Sequence, residues 1–437
     1  MEPLLPTHRT GDTDEEEDDD PLCDDLAPPF DDATRSLQVS NGAMALTGTM
    51  LGGGLLSLPY AASKVGMTGA VVLVLFSGVI NVFSYELIVA SSRKSGSTNG
   101  KSFNTLASFH LGPVHGRRFA SVCLVVLCFS ASVGYLLLCG KLVAEAFQDK
   151  ASVTSRRLGS LAGAVLVLPL SMLKSMHALR HANLFTVCSS ALLMLAVVIK
   201  SAENGRAEGV NMGGPKSVSD VVSALPFFLL AFCAQFSVLP VAAEIAKPTR
   251  RRMNLVTRSA GLMGGLIYMT VACAGYYFTG ASVCDSIFSN FDRRDLLCAL
   301  GRVAVVLSLV LSYPMLIMPC RNTVFDLGGF DEHGREIMHI PATLFIVAAS
   351  LLCAVLAPNI ALVWALNGST VTVWVSFTLP SVFYLRAFAS PDDFGGGAHK
   401  RWAAWALLVF SIVASVWCTY EAVASSSSAD ACAAGDG

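Results

Sequence analysis

Gly48-Thr49-Met50-Leu51-Gly52-Gly53-Gly54-Leu55-Leu56-Ser57-Leu58-Pro59-Tyr60 lies inside an uncharged run, residues 36–63, long enough to cross a bilayer. Its composition nevertheless breaks a helix. Three consecutive glycines cost about 1 kcal/mol each relative to alanine, and Pro59 removes a backbone donor. A second run, Pro226-Phe227-Phe228-Leu229-Leu230-Ala231-Phe232-Cys233-Ala234-Gln235-Phe236-Ser237-Val238-Leu239-Pro240, sets Gln235 and Ser237 in mid-span with a proline after them. Ser57-Leu58-Pro59 and Ser237-Val238-Leu239-Pro240 are weakly alike and stand five spans apart. Unpaired backbone at this depth is tolerated only where protein or a watery cavity surrounds it. Matched breaks in two five-helix halves mark an inverted-repeat carrier whose site lies where the half-helices meet. Close packing of glycine-rich spans is the alternative, and the second break in register argues against it.

The rest of the chain agrees with a membrane setting. Of 437 residues 53% are apolar and 14% charged, against roughly 25% charged in soluble domains. A soluble chain of this composition would need a core with almost no surface. The uncharged runs fall at 36–63, 67–91, 119–145, 158–173, 182–199, 221–243, 259–283 and 296–320. Ile340–Leu385 follows, 46 residues without a charge. As one helix it would be about 69 Å long, more than twice the hydrocarbon core. It therefore divides at Ala357-Pro358-Asn359, and residues 402–420 make the last of eleven spans. The expected organisation is an acidic disordered tail over 1–35, five-helix repeats over 36–202 and 219–386, an eleventh helix over 402–420, and a disordered tail over 421–437.

Lys and Arg set the orientation. With the N-terminus inside, inner segments hold 19 of the 30 bases and outer segments 9, with Lys141 and Arg302 inside spans. That predicts a cytoplasmic N-terminus and an extracytoplasmic C-terminus. Residues 1–36 carry 13 of the 32 acids against Arg9 and Arg35 only. This tail is a solvated, solubilising segment, or a sorting or regulatory segment with trafficking partners; Glu2-Pro3-Leu4-Leu5 loosely resembles a dileucine signal. No basic domain or aromatic-plus-basic motif points to nucleic acid, so the expected partners are lipid and a small substrate. No metal cluster or cofactor motif is present. Gly-x-Ser-x-Gly, His-Glu-x-x-His and P-loop motifs are missing too, and His177 and His181 sit in a loop without partners. An enzyme is not expected. Most of the 13 cysteines lie in apolar runs as small hydrophobes; Cys284 and Cys298 are the one pair considered for a disulfide.

At a break, free N–H groups and positive helix ends suit a carboxylate, and freed carbonyls suit an ammonium or a cation. An amino acid carries both groups on one carbon. Gly52, Gly53, Gly54 and Leu55 are therefore the expected carboxylate side. Phe232, Cys233 and Ala234 are the expected carbonyl side, with Gln235 and Ser237 nearby. Tyr135 in the third span is either an aromatic cap on the site or a packing residue. Glu244 pairs with the Lys247–Arg252 cluster or gates. Glu86 is expected to pair with Arg93 or Lys94. Lys141 and Glu145 form a local i,i+4 pair or snorkel. Asn367, Ser369, Thr370 and Thr372 are read as helix–helix hydrogen-bonding groups.

Leu239-Pro240-Val241-Ala242-Ala243-Glu244-Ile245 with Pro248-Thr249-Arg250-Arg251-Arg252-Met253 resembles the sixth-span exit of the amino acid/auxin permease family. Gly52 through Ala61 resembles that family's first span. Arg302-Val303-Ala304, Ser312-Tyr313-Pro314 and Pro319-Cys320-Arg321 resemble its eighth. The closest branches are the sodium-coupled neutral amino-acid transporters and the vacuolar amino-acid transporters. The resemblance implies an all-α protein of eleven transmembrane helices, a LeuT-like 5+5 inverted repeat plus one helix, in a vacuolar, lysosomal or plasma membrane. It implies secondary active transport of amino acids. Neutral ones are expected, because no charged residue stands at either break. A membrane amino-acid sensor on the same fold and a carrier of another small zwitterion are the alternatives. Arg302 resembles an arginine of the family, and it either faces the outer vestibule, where it attracts carboxylates, or snorkels. Sodium-coupled branches use a first-span asparagine where this chain has Gly48, together with a span-eight hydroxyl matched by Ser312. Backbone carbonyls near Thr47 and Met50 would complete such a site. Because that asparagine is missing, the reading favours a proton over sodium as coupling ion, with Glu244 the nearest acid in sequence.

Overall fold

The computed structural model describes residues 37–99, 102–147, 153–173, 182–246, 249–292, 295–357, 359–389 and 397–425. The acidic tail, His177, His181, Lys247, Pro358 and the residues after 425 lie outside them, as do the expectations attached to those positions. Within the described residues the chain is helical, as a bilayer demands of backbone that must satisfy itself. An isolated parallel bridge between Leu37 and Ile245 is the one β pairing there.

Helix α1 (Val39–Met50) ends at the glycines. A 3₁₀ turn, Gly53–Ser57, leads into α2 (Leu58–Asn99), where Gly66 at φ 74° separates the rest of the first span from the second. A short α3 (Phe103–Leu111) starts on a Ser102–Thr105 capping box. The first half continues through α4 (His115–Phe147), α5 (Val153–Ser171) and α6 (Ala182–Asn204). The sixth span is split into α7 (Val218–Ala231) and α8 (Gln235–Glu244). Then come α9 (Arg250–Thr279), α10 (Leu296–Gly328) and α11 (Glu332–Leu356). The tenth span is α12 (Ile360–Ser369), the three-residue α13 (Val371–Val373), a π-helical turn Trp374–Thr378 and α14 (Leu379–Ala387). The chain closes on α15 (Gly397–Ala424).

Among the described residues nine helices are long and apolar enough to cross a membrane, against eleven expected spans. Two features account for the difference. The first span is divided, with only 12 residues in α1 and its second part continuous with α2. The expected fourth span is α5, whose opening turns carry Arg156 and Arg157. Large apolar side chains such as Val79, Leu262, Phe345, Trp402 and Val416 point outward, the surface lipid requires. Inside, α2 packs along α9, and α4 lies against α5 and α10. The turn Gly53–Ser57 touches α2, α4, α7 and α9, so the first break sits at the centre of the bundle.

Long-range packing corrects two local pairings. Glu86 Oε1 accepts from Arg258 Nε at 3.0 Å and Nη2 at 2.8 Å rather than from Arg93 or Lys94. Cys298 is a buried free thiol, so it does not join Cys284.

Candidate substrate site at the two breaks

At the first break the helix stops because Gly52 turns extended, at φ −114° and ψ −163°. Leu51 N–H donates to the Thr47 carbonyl at 2.9 Å and Gly52 N–H to the Met50 carbonyl at 2.8 Å, closing α1. Neither Gly53 nor Gly54 N–H finds a backbone acceptor among the described residues. The Gly53 N–H is turned to the Tyr135 hydroxyl, which leaves the Gly54 N–H as the free donor at the positive end of the following half-helix. The three glycines are not equivalent. A methyl on Gly52 would collide with the Tyr135 hydroxyl. One on Gly53 would stand 2.9 Å from Trp364 Cζ2 and 3.0 Å from Leu138 Cδ2, and one on Gly54 would meet nothing within 4 Å. Gly52 and Gly54 are half-buried in an otherwise buried stretch, so the open side of the break is theirs. Leu55 is buried, and only its backbone, donating to the Gly52 carbonyl at 3.2 Å, belongs to the break. Tyr135 is packed edge-on to Trp364, with centroids 6.4 Å apart, and places its hydroxyl at the glycines. Tyr135 is thus buried with its hydroxyl at the first break.

Trp364, on α12, is missing from the residues that sequence reasoning singled out. It is 2% exposed, fills the space left free by Gly53 and Gly134, and has no partner for its buried Nε1–H. A lone tryptophan in an apolar run carries no signal of this. Only glycines in two other spans announce that something large fits between them.

The second break spans Phe232–Ala234 and is held from three sides. Tyr268 Oη donates to the Ala231 carbonyl at 2.5 Å, and Tyr85 Oη donates to the Phe232 carbonyl. The Phe232 carbonyl is thus occupied, and the Ala234 carbonyl accepts from Ser237 N–H at 3.0 Å. Of the three expected carbonyls, that of Cys233 alone accepts no hydrogen bond among the described residues, and Cys233 is half-buried. Gln235 does not face a cavity. It is fully buried, donates from Nε2 to Asn81 Oδ1 at 2.8 Å, and accepts at Oε1 from Ser376 Oγ at 2.8 Å and Ala234 N–H at 3.1 Å. Ser376 belongs to the π-helical turn, and its carbonyl accepts from Ser84 Oγ. The second break is therefore fastened to α2 and to the tenth span, and π-turns of this kind concentrate at functional sites. Ser237 is half-buried, with no side-chain hydrogen bond among the described residues.

The coupling-ion candidates gather only in part. Thr47 Oγ1 donates to its own helix at the Ala43 carbonyl, 2.8 Å, and the Thr47 and Met50 carbonyls accept the bonds that close α1. Gly48 packs on α6, where a side chain would come within 2.7 Å of Asn183 Cβ and 2.8 Å of its carbonyl oxygen. Ser312 Oγ pairs with Thr186 Oγ1 at 3.0 Å, one turn along the same helix. Glu244 is exposed beside the Leu37 bridge, at the surface, and its carbonyl accepts from Leu37 N–H at 3.0 Å. Arg302 is 5% exposed and donates to the Phe288 and Phe291 carbonyls at 2.8 and 3.1 Å. It neither lines a vestibule nor snorkels; it caps a loop.

Residues 35–424 of the sequence match the family described as Transmembrane amino acid transporter protein. The chain belongs to that family. It is similar to vacuolar amino acid transporter 5 of Schizosaccharomyces pombe, 26% identical over 80% of this chain and 85% of that one. It is also similar to amino acid transporter AVT6E of Arabidopsis thaliana, 24% identical over 85% and 80%. Sodium-coupled neutral amino acid symporter 2 of Danio rerio is 23% identical over 78% and 74%. Among solved structures the fold matches Mhp1, a nucleobase-cation-symport-1 family transporter in a closed conformation with bromovinylhydantoin bound. That match has a TM-score of 0.61 at 14% identity over 92% of this chain and 94% of that one. The chain is thus a multi-pass amino acid transporter of LeuT-like fold and not an enzyme.

Proposed function

We propose that this chain carries neutral amino acids by alternating access, with the substrate carboxylate at the Gly54 N–H, beside the Gly53 N–H and the Tyr135 hydroxyl it faces, and the ammonium at the Cys233 carbonyl. The observation that carries the reading is the open space at Gly54, beside an N–H with no backbone acceptor among the described residues. No charged side chain belongs to either break, which suits a substrate whose side chain is uncharged. A proton is the favoured coupling ion. An asparagine at Gly48 would overlap Asn183, and the Ser312 hydroxyl is already paired with Thr186, so the oxygen ligands expected of a sodium site do not converge. By the distribution of basic residues, the face bearing Leu37 and Arg250 is cytoplasmic.

The test of coupling is uptake into liposomes holding the purified chain. With sodium replaced by choline at fixed pH, transport is expected to persist. With sodium fixed and the pH gradient collapsed, concentrative uptake is expected to fall to the level of equilibration. Loss in choline alone would overturn proton coupling.

A further inference from the structure

Lys141 and Glu145 belong to a structure wider than a local pair. Between α9 and α10 the chain makes a short 3₁₀ turn, Ile287–Asn290, with Ile287 and Phe288 fully buried. This loop seats on the first break from the face opposite Leu37. Ser57 Oγ, in the turn after the glycines, donates to the Asp285 carbonyl at 2.6 Å. A side chain at Gly275 would touch both Pro59 and Ile287, so loop and half-helix are in direct contact there. Two polar ties bind the loop to α4. Lys141 Nζ pairs with the Asp285 carboxylate, and Ser289 Oγ donates to Glu145 Oε1 at 2.6 Å. Lys141 Nζ also stands 4.0 Å from Glu145. From α10, Arg302 holds the Phe288 and Phe291 carbonyls.

Glu145 is the unusual member. Its side chain is 13% exposed, and Oε2 is buried without a hydrogen-bond partner. The charged groups facing it are Lys141 on its own helix, Asp285 in the loop and Arg302 on α10. Helix α5, which carries Arg156 and Arg157 in its opening turns, meets α4 at Gly140 through Ser160 and the Arg156 carbonyl, and the Asp295 carboxylate at the start of α10 is taken by Lys200. Helix α12 has no titratable side chain, and α11 has its charges in its first turns.

We propose that the loop around Asp285 is the outer gate of the substrate site, and that Glu145 is the positioning residue whose protonation releases it. This rests on the transporter reading above. A hydronium ion at that face gives its proton to Glu145 Oε2; its O–H bond breaks with the electron pair left on the departing water, and the carboxyl O–H bond forms. The carboxyl then no longer attracts Lys141. Its bond from Ser289 falls from a charge-assisted to a neutral one, about half as strong. The loop's tie to α4 through Ser289 is thereby weakened, the Lys141–Asp285 tie alone keeps its charge, and the half-helix beginning at Gly53 becomes reachable from that side.

The test uses the full chain in liposomes, with equal pH on both sides so that no gradient drives transport. Tyr60, half-buried one turn beyond Ser57, serves as a reporter when changed to cysteine and labelled by a membrane-impermeant maleimide, with the parent chain subtracted. Between pH 7.5 and 5.5 the labelling rate and the amino-acid exchange rate are both expected to rise about tenfold, as a one-proton population shift allows. In Glu145→Gln both are expected to be high and flat across that range. Ser289→Ala is expected to raise labelling at pH 7.5 alone. A Glu145→Gln chain that keeps the wild-type pH profile of labelling overturns the gate. A chain that labels as expected but exchanges no amino acid overturns the transporter reading and leaves the gate standing.

Discussion

Gly53→Val is expected to abolish uptake, by about 100-fold or more, in a protein that still inserts and folds. The first β-carbon alone would stand 2.9 Å from Trp364 and 3.0 Å from Leu138, both buried, and valine adds two branches to it. The turn must move, and the N–H groups of Gly53 and Gly54 move with it. A displacement of about 1 Å in a positioned binding group is worth about 10²-fold in rate. Gly54→Ala separates sterics from chemistry. Its methyl meets nothing within 4 Å, so the fold tolerates it, and it projects into the open side of the break. It is expected to weaken substrate affinity with little change in stability. Both are read as initial uptake rates normalised to inserted protein, with thermal stability in detergent alongside. Normal uptake by a well-inserted Gly53→Val chain would remove the first break from the site.

Gln235→Leu is expected to cost stability more than specificity. It strands Asn81 Oδ1 and the Ala234 N–H, two buried groups that Gln235 satisfies, and leaves Ser376 Oγ only its longer contact to Cys233 Sγ at 3.4 Å. An unmade buried hydrogen bond costs about 1–3 kcal/mol, while membrane double-mutant cycles average about 0.6 kcal/mol because other partners are found. Here Asn81 and Ser376 are fixed on α2 and on the π-turn, which limits the search for replacements, and a loss of roughly 3 kcal/mol follows. Ser237→Ala, at a half-buried hydroxyl without a hydrogen bond among the described residues, is the contrast and is expected to be near neutral. The midpoint of thermal inactivation of the purified protein checks both. Equal midpoints for the two variants would show that Gln235 does not hold the break.

Much of the fold could be read from residues alone because a bilayer leaves few choices. Uncharged length marks a span, and Gly52-Gly53-Gly54 marks where the first one fails, whereas Pro240 lies inside α8, past the break at Phe232–Ala234. Rotation about the helix axis is what such reading lacks. Gln235 lies at the right depth for a substrate ligand, yet it faces Asn81 and the protein interior. The break in the tenth span was not legible. Asn367, Ser369, Thr370 and Thr372 read as a polar stripe on a continuous helix, whereas Thr370 leaves helical geometry at φ −98° and ψ −99°. Part of the stripe does bind neighbours, as Thr419 Oγ1 donates to Ser369 Oγ at 3.1 Å. Charges followed the same pattern. Spacing proposed Lys141 with Glu145, but Asp285, 144 positions along the chain, stands closer, and no local rule finds it.

The central claim is that the two breaks form one site through which an amino acid passes. Accumulation of a labelled neutral amino acid inside liposomes containing only this chain, under an imposed pH gradient, tests it most directly. The account predicts an internal concentration well above the external one, lost when the gradient is collapsed and lost in Gly53→Val. Saturable binding of the same amino acid with no accumulation at any gradient would contradict it and mark the chain as a sensor.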